Sequence, residues 1–199
     1  VHVKGLEAPM HDPRGFHGMG LAYMMSNRGA CHLQHAVLAT EQGMASWPEL
    51  FDMKDDYVGT TSEGKAMLVY NSENYGILGN SLSICHYLVD ILKPETILEA
   101  FNAITGFGLD KESLLKTGMR DWTLKRGINN LLGITKKDDA LPKKLLTALE
   151  EGGAAGSVPD VELLLSEYYA VRGLDDRGYP LPEKLTELGL EDLKRRLYQ

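Results

Sequence analysis

Apolar residues recur along most of this chain at the three- and four-residue spacing of amphipathic helices. One such face follows Pro94 and carries Ile97, Leu98, Phe101 and Ile104. A longer stripe begins after Asp110 and consists of Leu114, Leu115, Met119, Trp122, Ile128, Leu131 and Leu132. Together the patterns predict helices over 15–27, 62–78, 81–92, 94–105, 110–132, 141–151, 160–173 and 182–197.

Several residues with known preferences for helix ends support these boundaries. Asp12 followed by Pro13 is a helix start, because proline suits the first helical position. Gly29 suits the C-terminus of the first helix. Asn80 and Asp110 are candidate N-caps for the helices that follow them, since short polar side chains can accept a hydrogen bond from the first turn.

The remaining segments show no helical period. Residues 36–61 are interpreted as a long loop, which in a compact domain often has a function. Residues 152–159 read as a flexible break, and the first residues are extended enough for a short strand. We therefore expect an all-α fold: a multi-helical bundle formed as a single domain over 1–199, with at most a short β element near the N-terminus.

The charge and the amino-acid composition of the chain limit the kinds of partner that we expect it to bind. The chain of 199 residues holds 21 Lys and Arg against 28 Asp and Glu, a net charge of −7. Without a basic stripe, nucleic acid and anionic membrane surfaces are not expected as partners. No apolar run is long enough to span a membrane, and no signal peptide pattern is visible. Two cysteines are too few for a disulfide scaffold, so we expect reduced thiols in the cytoplasm.

Two short stretches contain residues that could carry chemistry. In "SNRGACHLQH" (26–35), Cys31 and His35 have a spacing that could place both on one zinc ion if the turn were helical. The alternative is a buried thiol and a surface imidazole. His32 titrates near neutrality and could move protons. Cys85 lies in an apolar stretch and is either a core thiol or one ligand of an iron–sulfur cluster, which needs four.

Three longer strings resemble a known family. They are "KGLEAPMHDPRGFHGMGLAYMMSNRGACHLQH" at 4–35, "NSLSICHYL" at 80–88 and "LLLSEYYAVRGLDDRGYP" at 163–180. They resemble the C-terminal, helical domain of tungsten-containing aldehyde ferredoxin oxidoreductases, and the resemblance covers nearly the whole chain. It implies a fragment of a longer chain, lacking the domain that forms the base for the pterins and the domain with a Cys-x-x-Cys-x-x-x-Cys run.

The resemblance also implies a role for individual residues. Family members hold tungsten, or sometimes molybdenum, between two pterins beside one 4Fe-4S cluster. Cys85 matches the fourth cluster ligand, and His32 matches a histidine beside the metal that donates or accepts protons. Gln34, Asn80 and Ile84 occupy cofactor-binding positions. On this resemblance Cys31 would be a neighbour of the site and not a ligand.

The expected function of the complete protein is oxidation of an aldehyde to a carboxylate, with ferredoxin as electron acceptor. The separate chain is expected to lack activity and to self-associate, as a homo-oligomer, through a face that the missing domains would cover. Three positions depart from the family motif: Asn80 replaces an aspartate, Ser83 a glycine and Gln34 a lysine. Two alternatives remain: the tungsten subunit of a benzoyl-CoA reductase-like enzyme, and a degenerate helical interaction module without catalysis.

Overall fold

A computed structural model describes residues 1–45 and 57–199. Within these residues the expected all-α fold is confirmed, as is the short β element near the N-terminus. The strands β1 (His2–Val3) and β2 (Leu6–Glu7) pair antiparallel, with Val3 opposite Leu6. The helices are α1 (His17–Met25), α2 (Val37–Glu41), α3 (Lys65–Ser81), α4 (His86–Ile91), α5 (Pro94–Thr105), α6 (Lys111–Leu131), α7 (Val161–Arg172), α8 (Pro182–Glu187) and α9 (Glu191–Tyr198).

The centre of the bundle is the crossing of α3 and α6, with α1 and α7 packed on α3. The two central helices touch backbone to backbone, because a Cβ on Gly118 would lie 1.9 Å from the carbonyl oxygen of Asn74. Every residue of α1 is buried, and so is most of α3. The core therefore surrounds α3, whose C-terminal end carries the candidate site described below.

The first helix begins later than predicted. Asp12 and Pro13 belong to a turn in which the Asp12 carbonyl accepts hydrogen bonds from the amides of Gly15 (3.0 Å) and Phe16 (3.2 Å). Arg14 holds this turn by an ion pair of 2.6 Å to the Asp12 carboxylate. The prediction of a loop over 36–61 was also incomplete: α2 lies inside that range, and residues 46–56 lie outside the described residues.

The predicted helix over 81–92 was wrong in its first half. Helix α3 continues to Ser81, so Asn80 lies in its last turn and is not an N-cap. The chain then leaves the helix at Ser83, whose φ of +57° is in the left-handed region. The amide of Ile84 closes this end by donating to the Gly79 carbonyl at 2.8 Å, as in a Schellman motif.

The apolar stripe predicted for α6 is buried only in its first half. Leu114 and Trp122 are buried, whereas Leu132 is 77% exposed. Ile104 of α5, predicted on a buried face, is likewise 85% exposed. The buried face of α6 continues instead with small and polar residues, which are Gly118, Thr123, Arg126, Gly127 and Asn130. The predicted helix over 141–151 is only a 3₁₀ turn, Lys143–Leu146.

A buried carboxylate explains why α6 turns a polar side chain inward. Arg126 donates to both oxygens of Asp139, at 2.8 and 2.7 Å. Lys4 from the N-terminal hairpin pairs with Asp139 at 2.7 Å, and Tyr169 donates to it at 2.6 Å. The network joins the hairpin, α6 and α7 at one buried charge.

No helix among the described residues is both apolar enough and long enough for a membrane span.

Candidate functional site

The segment between α1 and α2 carries His32 and is held against the N-terminal hairpin. Gly29 has a φ of +88°, and an added Cβ there would lie 2.3 Å from the Val3 carbonyl oxygen. Only glycine therefore fits this position. It lies beyond the end of α1 at Met25, so the prediction that it ends the first helix was wrong. The tight turn continues to Cys31, whose amide donates to the Gly29 carbonyl at 2.6 Å.

His35 is a buried anchor for this segment and not a surface residue. Its Nε2 lies 2.8 Å from the Cys31 carbonyl oxygen, a geometry in which the ring donates. Burial lowers the pKa of His35 to about 3, so the imidazole is neutral at pH 7. The buried Cys31 sulfur accepts from the Leu33 amide at 3.4 Å. His35 thus binds the carbonyl of Cys31 and not its thiol, and across residues 1–45 and 57–199 no group of three or more His, Cys, Asp or Glu side chains is arranged to hold a metal ion.

His32 is half-buried and lines a pocket of about 200 Å³. Its ring centroid lies 5.0 Å from that of His11, in an edge-to-face arrangement. His86 and Asp90 of α4 line the same pocket. Burial lowers the pKa of His32, and the neighbouring His11 and His86 lower it further by charge repulsion. At pH 7 His32 is therefore a neutral imidazole that can accept a proton.

Asn80 and Gln34 lie next to the His32 segment. The exposed Asn80 side chain, in the last turn of α3, places Nδ2 at 3.4 Å from the Leu33 carbonyl oxygen. Leu33 stands between His32 and Gln34 in the chain, so the structure brings these three predicted residues to one place. The contact is a donation by the amide, which an aspartate at this position could not make.

Gly76 allows α3 to approach this segment closely. A Cβ at Gly76 would lie 2.7 Å from the Cα of His35 and 3.2 Å from the Gln34 carbonyl oxygen. Both are backbone atoms, which cannot rotate aside. The position of the His32 segment is therefore set by direct backbone contact with the central helix of the bundle.

Cys85 is exposed at the surface and precedes the first residue of α4. Its carbonyl accepts hydrogen bonds from the amides of Leu88 (2.9 Å) and Val89 (3.2 Å) and so begins the helix. The thiol itself lies outside the core and is exposed. The core-thiol alternative is therefore wrong. The half-buried Ile84 uses its amide inside the turn, on Gly79. The next residue after Cys85 is His86, which lines the His32 pocket, so the predicted cluster ligand and the predicted proton carrier lie on adjoining pieces of the fold.

The chemistry of these donors fits the implied cofactors in part. The exposed thiol of Cys85 suits one corner of a cluster shared with another domain, and the remaining ligands would come from outside the described residues. Asn80 offers one acceptor oxygen and an amide group already directed at Leu33. At Ser83 the backbone lies in the left-handed region, which glycine adopts most easily; the conformation therefore accounts for the glycine of the family motif and leaves the serine strained.

Sequence reasoning missed His11 and His86 as parts of the site. His86 had a weak signal, because it directly follows Cys85 in the motif. His11 had none, since the contact with His32 joins two segments that are distant along the chain. Gly76 was missed because a glycine inside a predicted helix does not reveal which neighbour approaches it.

Comparison with known proteins agrees with the motifs. The family described as aldehyde ferredoxin oxidoreductase, domains 2 and 3, matches residues 1–190. A tungsten-containing aldehyde ferredoxin oxidoreductase of Pyrococcus abyssi is 33% identical over 96% of this chain and 30% of its own length. The protein of the same name in Pyrococcus furiosus is 32% identical, over 96% of this chain and 31% of its own length. A Pyrococcus furiosus aliphatic sulfonate oxidoreductase, WOR-like subunit, is 28% identical over 99% of this chain and 29% of its own length.

The chain spans about a third of the length of the curated relatives that it matches. The match nevertheless extends over almost all of this chain, from the N-terminal hairpin through α8. It includes the segments that hold His32 and Cys85. The chain therefore belongs to the aldehyde ferredoxin oxidoreductase family.

Proposed function

We propose that this chain is the helical part of a tungsten (or molybdenum) bis-pterin enzyme that oxidises an aldehyde to a carboxylate and passes the electrons to ferredoxin. The chain would act with the other domains of the same polypeptide, and by itself would be inactive. One observation carries the proposal. The exposed thiol of Cys85 stands at the start of α4, and the next residue, His86, lines the same pocket as His32.

The cofactors would supply the redox chemistry: when bound, the metal–pterin group accepts two electrons from the substrate and the cluster transfers them one at a time. The role of this chain is to hold and complete that site. Cys85 would give the cluster its fourth ligand, while Asn80, Gln34 and the turn at Ile84 would contact a pterin. Hydrogen bonding and burial around the thiolate would tune the cluster potential.

His32 would move the proton in this reaction. Water that adds to an aldehyde carbon must lose a proton, and a neutral imidazole within hydrogen-bond reach can accept it. The lowered pKa of His32, caused first by burial, keeps the ring neutral and ready at pH 7. The backbone on either side of His32 is held by the Cys31–His35 hydrogen bond and by the close approach of α3 at Gly76.

The test uses the complete protein, with metal and iron content measured together with turnover. His32→Gln should reduce turnover roughly 100-fold or more at unchanged tungsten and iron content. Cys85→Ala should lose cluster absorbance and iron, whereas the matched Cys31→Ala, at a buried thiol, should retain both. Full iron content in Cys85→Ala, or unchanged turnover in His32→Gln, would refute the role of that residue.

Substrate assays separate the remaining alternatives. An aldehyde, an aryl thioester and an aliphatic sulfonate should be offered in parallel, the last because a relative is named for it. Oxidation of the aldehyde alone supports the proposal, and reduction of the aryl thioester favours the benzoyl-CoA reductase-like alternative. Binding of another protein without cofactor or turnover would indicate the degenerate interaction module.

A further inference from the structure

The imidazole of His11 packs edge to face against that of His32, and the function proposed above does not use it. The two ring centroids are 5.0 Å apart with an angle of 64° between the planes. Both rings are half-buried and line the same pocket. Met10, the chain neighbour of His11, is fully exposed in this chain.

We propose that His11 and His32 form a two-imidazole proton relay, in which His11 carries protons between His32 and bulk water. The inference rests on the proposed function. Oxidation of an aldehyde by water to a carboxylate yields two electrons and three protons. The electrons leave through the cluster, but each proton has to reach solvent. One imidazole holds one proton at a time, so His32 must be discharged before it can accept again.

The structure fixes His11 from both sides. Its carbonyl accepts a hydrogen bond from the hydroxyl of Tyr23 at 3.2 Å. Burial raises the pKa of Tyr23, so that hydroxyl keeps its proton and remains a donor. On the other side Arg14 braces the turn, with hydrogen bonds to Asp12 and, at 2.9 Å, to the Thr147 carbonyl. The ring of His11 is therefore presented by a held backbone.

Burial and the neighbouring imidazoles favour release of the proton from His32. His86 and Asp90 of α4 face it across the pocket, 3.5 Å apart from each other. His35 is neutral and buried beneath it. Burial, then His11, then His86 lower the pKa of His32, so an imidazolium there gives up its proton readily. In each cycle His32 accepts a proton from the water and passes it to His11, and His11 releases it to solvent.

Turnover of the complete protein tests the relay. We expect His11→Ala to lower turnover about 10-fold or more at unchanged metal content, and added imidazole to restore it by entering the space of the missing ring. A structural role would not respond to added imidazole. The control is His2→Ala, at an exposed position of the N-terminal hairpin. Unchanged turnover in His11→Ala, or a loss that imidazole does not restore, overturns the relay.

A titration of the imidazole resonances adds a readout that does not need turnover. In His11→Gln the pKa of His32 should rise, because a neighbouring positive charge is removed, whereas His2→Gln should leave it unchanged. An unchanged His32 titration in His11→Gln would show that the two rings do not exchange charge and would overturn the relay. If His32→Gln abolishes turnover while His11→Ala does not, only the relay fails. If His32→Gln keeps full turnover, both the relay and the proposed proton role of His32 fail.

Discussion

Replacing Gly118 by alanine tests whether the crossing of α3 and α6 holds the candidate site in place. The added Cβ would lie 1.9 Å from the Asn74 carbonyl oxygen and 2.8 Å from the carbonyl carbon. Ordinary contact begins near 3.4 Å, so the helices would have to separate by about 1.5 Å at this point, since a close-packed interior has no free space. Neither atom can rotate away, because both belong to the backbone of a buried helix.

Two effects of opposite sign set the magnitude. Alanine is favoured over glycine inside a helix by about 1 kcal/mol. Overpacking of a rigid contact costs about 3 kcal/mol. We therefore expect Gly118→Ala to lower the free energy of unfolding by about 2 kcal/mol, whereas helix propensity alone predicts an increase of about 1 kcal/mol. The two explanations differ in sign, which makes the measurement decisive.

The assay is urea unfolding of the chain, followed by circular dichroism. The matched control is Gly153→Ala, since a Cβ there meets no atom within 4 Å. This control should stay within about 0.5 kcal/mol of the parent chain. Because α3 also carries Gly76 and Asn80, Gly118→Ala should in addition shift the His32 resonances. A Gly118→Ala chain as stable as the parent, with unshifted resonances, would refute the reasoning.

Two further predictions concern single residues of the site. Because the pKa of His35 is about 3 in the folded chain and about 6.5 when unfolded, the unfolded state binds more protons between these values. The free energy of unfolding should therefore fall as the pH drops below about 6.5, by up to about 1.4 kcal/mol per pH unit from this residue. Urea unfolding at pH 7 and pH 5 measures how the free energy of unfolding changes with pH. His35→Gln should reduce this change, whereas His2→Gln, at an exposed position, should leave it as in the parent chain. Equal changes in all three chains would contradict the burial argument. Ser83 has a φ of +57°, and a side chain branched at Cβ fits this left-handed region poorly. In thermal unfolding the Ser83→Val chain should therefore be less stable than the Ser83→Gly chain by at least about 1 kcal/mol. Equal stabilities of the two variants would exclude strain at this position.

Much of the helical architecture could be predicted because its signals are local. Asp110 accepts a hydrogen bond from the Ser113 amide at 2.8 Å, and Asp160 accepts one from Leu163 at 3.0 Å. Pro94 occupies the first turn of α5 as expected. These interactions reach only three residues along the chain, so the sequence contains everything that is needed to place them.

The motifs also placed the candidate residues without any geometry. The strings around His32 and Cys85 indicated the family, which the comparisons confirm. The exposed position of Cys85 agrees with its predicted role as a shared ligand, although the role itself stays a prediction. The departure at Ser83 was noticed in the sequence, but its physical meaning, a left-handed turn that ends α3, came only from the backbone.

What the sequence alone determined is therefore the set of helices with strong caps, the family, and the residues worth testing. The tertiary structure decided which side of α6 is buried: Arg126 is turned inward onto Asp139, whereas Leu132 is exposed. It also decided that His11 meets His32. The reason is the same in both cases: hydrophobic period and cap preferences act over a few neighbouring residues, whereas a buried charge or a ring pair depends on partners that only folding brings together.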